Sequence, residues 1–308
     1  GSFNPHMPWY VPQKYLDMYP LDQIVLPELK EDDLDDLPPL AKAVSDGIGS
    51  FADKVIKAGK HKEAVQAYLA TTTYVDTQMG RVLDALDHSP SKDNTIVVFT
   101  SDNGPETMTW PDGGTTPFHG EKGTTWEGGF RVPAMIRWPG VVQPGTVIND
   151  IFSHQDWLPT LLSAAGEPGI KDKLKKGHRA GERTYKVYLD GYDQTDLLAG
   201  KGPGTRETLY YFDDNGNFNA IRWKDWKILF AVNWEGWGGP REAFNFPRVI
   251  HLRSDPYEES LESGLYARFF GDQLWLFVPT QQEVGKWCLA TVTHMRATCS
   301  CTVLRLCQ

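Results

Sequence analysis

Three groups of side chains in this sequence are of types that do chemistry, and two of them lie in one stretch, Thr95 to Gly140. The first is Ser101-Asp102-Asn103-Gly104. Asp102 and Asn103 offer a carboxylate and an amide carbonyl, hard oxygen donors suited to Ca2+ or Mg2+ rather than to a soft metal. The same tetrapeptide is good Asx-turn chemistry for capping a strand, and on its own the turn is the better reading. The second group centres on Lys122 in Gly120-Glu121-Lys122-Gly123-Thr124-Thr125. Glycines let the backbone come close to a ligand, and a lone ammonium among peptide N–H groups suits a tetrahedral oxyanion. An exposed loop lysine is the plain alternative and, taken singly, is preferred. His119 could touch a substrate, although a place on the rim fits it better. The third is His6 in Pro5-His6-Met7-Pro8, where prolines on both sides restrict the backbone that carries the imidazole. A surface Pro-aromatic loop is the simpler account of that segment.

Each group needs an element to position it. Thr95 to Thr100 is an unbroken apolar run rich in β-branched residues, which predicts a strand buried on both faces of a helix-covered parallel sheet. Ligands in open α/β sheets gather at the carboxyl ends of strands, where Ser101–Gly104 falls. Val132 to Trp138 then returns to the core. Upstream, Val65, Tyr68, Leu69, Val75, Met79, Val82, Leu83 and Leu86 make one apolar stripe, so His61 to Leu86 is predicted as a helix. Helix, turn at Ser89-Pro90-Ser91 and strand form half of a βαβ unit. Downstream, Asp156 to Ala165 reads as a helix ended at Gly166, with Asp156 as its cap or first-turn acid. Residues 168–185 are polar and lysine-rich, which suits a surface excursion. From about Thr205, Leu209–Phe212, Phe218–Trp223 and Trp226–Val232 are separated by turn sequences and predict antiparallel hairpins. Val249–Leu252 adds a strand, and Asp272–Trp287 a helix that Pro279 starts or kinks. Glu127 and Arg131 are read as a pair that braces the loop.

The chain carries 40 acidic against 31 basic residues, so it lacks the broad positive field that binds nucleic acid. No apolar run approaches the length of a membrane span. Its 308 residues allow one large and one small domain, read as 1–203 and 204–287, followed by an atypical tail, 288–308. No leader peptide is recognisable, and compartment and oligomeric state stay open. All four cysteines, Cys288, Cys299, Cys301 and Cys307, lie in the tail. With His294 they match zinc ligands in type but not in spacing, and a spliced or out-of-frame end is the preferred reading. The first 287 residues therefore hold no disulfide and no cysteine nucleophile. The acidic run at 28–39, with Asp32-Asp33 and Asp35-Asp36, is read as solvated.

The pieces in order carry more than any of them alone. An apolar strand, S-D-N-G-P-E, a glycine-rich loop, G-E-K-G-T-T-W-E-G-G-F-R-V-P and W-P-G together resemble the formylglycine-dependent sulfatases of the alkaline phosphatase superfamily. Pro5-His6-Met7-Pro8, D-W-L-P-T-L-L-S-A-A-G and Leu252-Arg253-Ser254-Asp255-Pro256-Tyr257-Glu258 extend the likeness over residues 3 to about 287. The resemblance implies an α/β fold: an alkaline-phosphatase-like mixed sheet flanked by helices, incomplete at its amino terminus, plus a small antiparallel α+β domain. It implies that Asp102 and Asn103 ligate Ca2+ (or Mg2+). Lys122 would contact the sulfate and the oxygen bridging to the leaving group, and His6 would hold a sulfate oxygen. The substrate would be a small-molecule or glycan sulfate ester, in a periplasmic or secreted setting.

The chain departs from this pattern in three places. The C/S-x-P-x-R motif that yields formylglycine is missing, and its nearest counterpart, His88-Ser89-Pro90-Ser91-Lys92, has the wrong residues at both key positions. The family's paired metal-binding aspartates and its G-K-x-H segment are missing too. The expectation is a carboxyl-terminal part of a sulfuric ester hydrolase, inactive by itself. A non-catalytic remnant that binds sulfate esters or glycans is the alternative, as is a phosphodiesterase or phosphonate hydrolase of the same superfamily. Specificity is expected from the loop between Glu106 and His119 and from Trp223, Trp226, Trp234 and Trp237.

Overall fold

The computed structural model describes residues 4–28, 51–106, 115–234 and 239–295. The paired aspartates at 32–36, most of the loop before His119, Trp237, and Cys299, Cys301 and Cys307 of the tail lie outside them. By spatial contact the chain forms two compact units, Gly1–Val97 with Pro105–Thr116, and Val98–Gly104 with Pro117–Gln308.

The first unit is helical. It contains α1 (Gln13–Leu16), α2 (Phe51–Lys57) and the long α3 (His61–Asp87), whose bounds match the predicted helix to within a residue. The Pro-aromatic segment lies along α3. Trp9 meets Tyr68 and Tyr15 meets Tyr74 edge to face, while the Gln66 amide donates to the carbonyls of Leu16 and Tyr19. These contacts cover the first part of the apolar stripe. Val82, near its end, remains 69% exposed.

The second unit holds the strands. β1 (Val97–Thr100) pairs with β2 (Ala134–Arg137), and β3 (His178–Ala180) pairs with β4 (Arg183–Tyr185). A four-stranded antiparallel sheet runs in the order β5 (Thr208–Phe212), β6 (Phe218–Trp223), β7 (Trp226–Asn233), β8 (Arg241–His251). The helices are α4 (Glu127–Phe130), α5 (Trp157–Ala164), α6 (Ile170–Lys176), α7 (Thr195–Leu198), α8 (Tyr266–Asp272) and α9 (Phe277–Met295). The expectation that β1 is buried on both faces is corrected: Phe99 is 42% exposed and Met135 of β2 61%. Two paired strands have too few neighbours to close a layer over both faces.

Side-chain alternation divides the four-stranded sheet into two working faces. Ala220, Leu229 and Ile250 point to one side and join Tyr211, Val232 and Trp126 in one core cluster. Ile221, Ile228 and Val249 point to the other and join Phe218 and Leu276, with Phe270, Phe277 and Val284 packed on them. The hairpins therefore share a core with the lysine loop, because Trp126 fills one face of their sheet. Residues on either side of 203/204 belong to one compact unit. The helix expected over Asp272–Trp287 begins later: α8 ends at Asp272, a 3-10 turn spans Leu274–Leu276, and α9 starts at Phe277 with Pro279 in its first turn, where its missing N–H costs least. Cys288, assigned to the tail, is buried within α9.

Candidate functional site

The strand end and the lysine loop meet backbone to backbone. Gly104 N donates to the Gly129 carbonyl at 3.1 Å, and a Cβ built on Gly104 would stand 1.7 Å from the Gly128 carbonyl oxygen. No side chain fits there, so Gly104, Gly128 and Gly129 set how closely S-D-N-G approaches the lysine motif. A second tie comes from His154, whose Nε2 donates to the Ser101 carbonyl at 2.7 Å. His154 opens a short 3-10 turn capped by Ser153 and Asp156. Asp156, fully buried, accepts both Nε and Nη2 of Arg206 at 2.9 and 2.7 Å and the Tyr192 N–H at 2.7 Å. The predicted cap is thus also one half of a buried ion pair, and that pair anchors the turn bearing His154.

Lys122 sits in a stapled turn. Gly120 (φ +74°) and Gly123 (φ +86°) flank it in the left-handed region that favours glycine. The Thr124 hydroxyl accepts from Glu121 N–H at 3.2 Å and donates to the Glu121 carbonyl at 2.6 Å. Gly128 N donates to the His119 carbonyl at 2.7 Å and closes the base of the loop. His119 stacks on Trp126 at 4.4 Å between centroids. Burial holds its pKa below the ordinary imidazole value, with Glu262 opposing and Lys227 reinforcing that shift.

Beneath the turn lies a buried ionic network. Lys227, in β7 on the Trp126 face of the sheet, is fully buried; its Nζ donates to Glu258 Oε1 (2.7 Å), the Thr125 carbonyl (2.8 Å) and Glu127 Oε1 (3.2 Å). Glu127 also accepts from Tyr211 (2.7 Å) and from Arg131 Nε (2.8 Å), while its own N–H donates to Glu258 Oε2 at 2.6 Å. Burial alone would raise the Glu127 pKa, but the Lys227 ammonium and the bonds from Arg131 and Tyr211 bring it down to about 2. Burial and the Glu127 charge push Glu258 the other way, above its ordinary value, only partly offset by Lys227. The expected Glu127–Arg131 brace is present as one arm of this network.

Of the predicted site residues, Asp102, Asn103, His119 and Lys122 lie in the second unit, and His6 lies in the first. His6 is exposed, with Nδ1 2.7 Å from the Met7 carbonyl. Asn103 Nδ2 and Asp102 Oδ2 are 3.0 Å apart. An amide flip would present two oxygens side by side there, a donor set that fits a hard cation. Among the described residues no three His, Cys, Asp or Glu side chains gather to hold a metal, so the pair is a partial set. Sequence reasoning placed His154 with Asp156 at the start of a helix and Glu258 in the Leu252–Glu258 segment, and it gave no site role to these two, to Lys227 or to Arg206. A lone lysine inside the apolar run Trp226-Lys227-Ile228-Leu229 was the available signal for one of them.

A model of the sulfatase family matches residues 2–167. A sulfatase of Formosa agariphila is 37% identical over 172 residues, 54% of this chain and 31% of that protein. Human arylsulfatase A is 37% identical over 161 residues, 51% of this chain and 29% of its own length. The chain thus spans about a third of the curated relatives it matches. Among solved structures, PsFucS1 sulfatase from a Pseudoalteromonas species superposes with a TM-score of 0.53 at 28% identity, over 77% of this chain and 43% of that one. A putative sulfatase, yidJ, from Bacteroides fragilis shares the fold at 19% identity, with a TM-score of 0.50 over 94% of this chain and 52% of that one. With more than half of its residues matched in the order that the strand, lysine loop and capped turn require, the chain belongs to the sulfatase family.

Proposed function

We propose that the second unit carries the metal-binding and sulfate-binding part of a sulfuric ester hydrolase centre. The observation that carries this reading is the glycine lock of Gly104 on Gly128 and Gly129, which ties two oxygen donors and a lysine turn to one rigid backbone junction. Cleavage of a sulfate ester leaves negative charge on the departing oxygen. A cation already fixed in place stabilises that charge without reorganisation. Lys122 supplies the ammonium; its flanking glycines and the Thr124 staple hold its main chain before any ligand arrives. Asp102 and Asn103 would hold Ca2+, which supplies further positive charge against the sulfate oxygens when bound. His119, stacked on Trp126 and with its pKa lowered by burial, stands as a wall of the loop. His6 enters this reading on the sequence resemblance alone. These 308 residues contain no C/S-x-P-x-R, so the roles of Lys122, Asp102 and Asn103 are those of binding and charge stabilisation.

The test uses the purified chain with 4-nitrocatechol sulfate, with and without Ca2+. Saturable binding that weakens at least about tenfold in Lys122→Ala is expected, with no turnover. Binding unchanged by Lys122→Ala would overturn the assignment of the sulfate site. Hydrolysis by the wild-type chain, lost in Lys122→Ala, would overturn the expectation of inactivity instead.

A further inference from the structure

We propose that the buried Lys227–Glu258 pair is the positioning device of the Lys122 turn, gripping the loop's main chain at Thr125 and Glu127. The inference rests on the sulfate-binding reading above for what Lys122 does, and on the following geometry for how it is held. Both members of the pair also bond the main chain of the loop. Here Lys227 Nζ donates to the Thr125 carbonyl at 2.8 Å, and Glu258 Oε2 accepts the Glu127 N–H at 2.6 Å. The two residues also bond to each other at 2.7 Å, so the two grips are one unit. Neither residue is more than 1% exposed, so water does not compete for these bonds.

The path from these grips to Lys122 is short and stiff. Thr125 is further pinned by the Asn219 amide and the Asn233 N–H on its hydroxyl, at 3.0 and 2.9 Å. Thr124, next to it, staples the turn through both backbone atoms of Glu121. A shift at 125–127 therefore reaches 121–124 with little slack. Two unfavourable features mark the pair as more than packing. Lys227 takes an inward position of β7 among Ile228, Leu229 and Ala231, where an apolar residue would be cheaper. Glu258 holds a left-handed backbone, φ +59°, which a residue with a Cβ adopts only when its surroundings require it.

The experiment is amide hydrogen exchange on the full chain, read over residues 118–131 against strands β5–β8. In Lys227→Met, exchange over 118–131 should rise on the order of 100-fold more than in the sheet, because the Thr125 carbonyl loses its donor and Glu258 is left buried without its cation, while Glu127 keeps Arg131. Lys227→Met combined with Glu258→Gln should recover protection in the sheet by removing the uncompensated charge, while 118–131 stays exposed because the Thr125 carbonyl still lacks its donor. Ile228→Ala, on the opposite face of the sheet, should raise both regions alike. An equal rise in both regions of Lys227→Met, or a double variant whose loop regains wild-type protection, would overturn the inference. Should Lys227→Met not fold, Glu258→Gln, which keeps the shape, carries the same comparison. Affinity for 4-nitrocatechol sulfate on the same proteins separates the two readings. If wild type binds no sulfate ester but the exchange pattern holds, the functional reading fails and the grip on the loop stands. If Lys122→Ala loses binding while the exchange pattern does not move, the grip fails and the functional reading stands.

Discussion

Replacing Gly104 with alanine tests the junction on which the candidate site depends. The added Cβ would stand 1.7 Å from the Gly128 carbonyl oxygen, 2.8 Å from its carbon and 3.0 Å from Gly129 Cα. Ordinary contact begins at 3.4 Å, and every one of these neighbours is backbone, so no rotamer change relieves the clash. The strand end and the loop must part by about 1.7 Å, and the Gly104–Gly129 hydrogen bond goes with them. Overpacking of this kind costs about 1–3 kcal/mol and the lost bond about 1 kcal/mol, so Gly104→Ala should cost about 2–4 kcal/mol. Urea unfolding followed by tryptophan fluorescence reads this, since most of the tryptophans lie in the second unit. Gly80→Ala is the control: it lies in α3 with nothing within 4 Å of the new Cβ, and should stabilise its helix by about 0.5–1 kcal/mol. A Gly104→Ala midpoint within about 0.5 kcal/mol of wild type, with unchanged exchange at the Gly129 amide, would refute the lock.

Other perturbations follow from the same contacts. Arg206→Met leaves Asp156 buried without its cation and should cost about 3–5 kcal/mol by denaturation, whereas Arg206→Met with Asp156→Asn should recover much of it. Glu127 is depressed in the folded state, so its stabilisation is full above its ordinary pKa near 4.5 and is lost as pH falls toward about 2. Glu258 is raised and acts oppositely, costing stability above its ordinary value, so protonating it cannot offset the loss below 4.5. Urea midpoints should therefore fall between pH 4.5 and 2, and Glu127→Gln should flatten that slope; a slope that survives the substitution assigns it elsewhere. Lys122→Ala should change stability by less than about 0.5 kcal/mol, measured by the same unfolding curves, because the turn is held by Thr124, Thr125 and the glycines.

What could be read from the sequence was whatever depends on local periodicity. The α3 stripe, the α5 helix with its stop at Gly166, and strands β5–β7 between Asp-Asn-Gly and Lys-Asp turns all emerged at or near their true bounds. β8 did not, because its burial follows no clean alternation and Pro247 interrupts it. Among the described residues it pairs only with β7, and an edge strand tolerates a residue without a backbone donor. Lys173, Lys175 and Lys176 concealed α6, whose Ile170 and Leu174 are its only buried positions. The site divided in the same way. Asp102, Asn103 and Lys122 stood out as candidates because a motif carries them in a single stretch. Lys227 and Glu258 did not, because they are 100 and 131 residues from Glu127 in sequence and only the folded sheet unites them.

The shared core of Trp126 and the hairpin sheet also bears on how such a chain can be cut and recombined. A division at 203/204, drawn from the change in sequence character, would sever Glu127 from Lys227 and strip Trp126 of Leu229 and Ile250. Chimaeras that exchange the carboxyl-terminal layer between relatives would then inherit a lysine loop with no floor. The interchangeable module runs instead from Pro117 through Glu258, together with the strand end at Gly104. Within it, Thr125, Glu127, Tyr211, Lys227 and Glu258 must travel together, however the rest of the surface is redesigned.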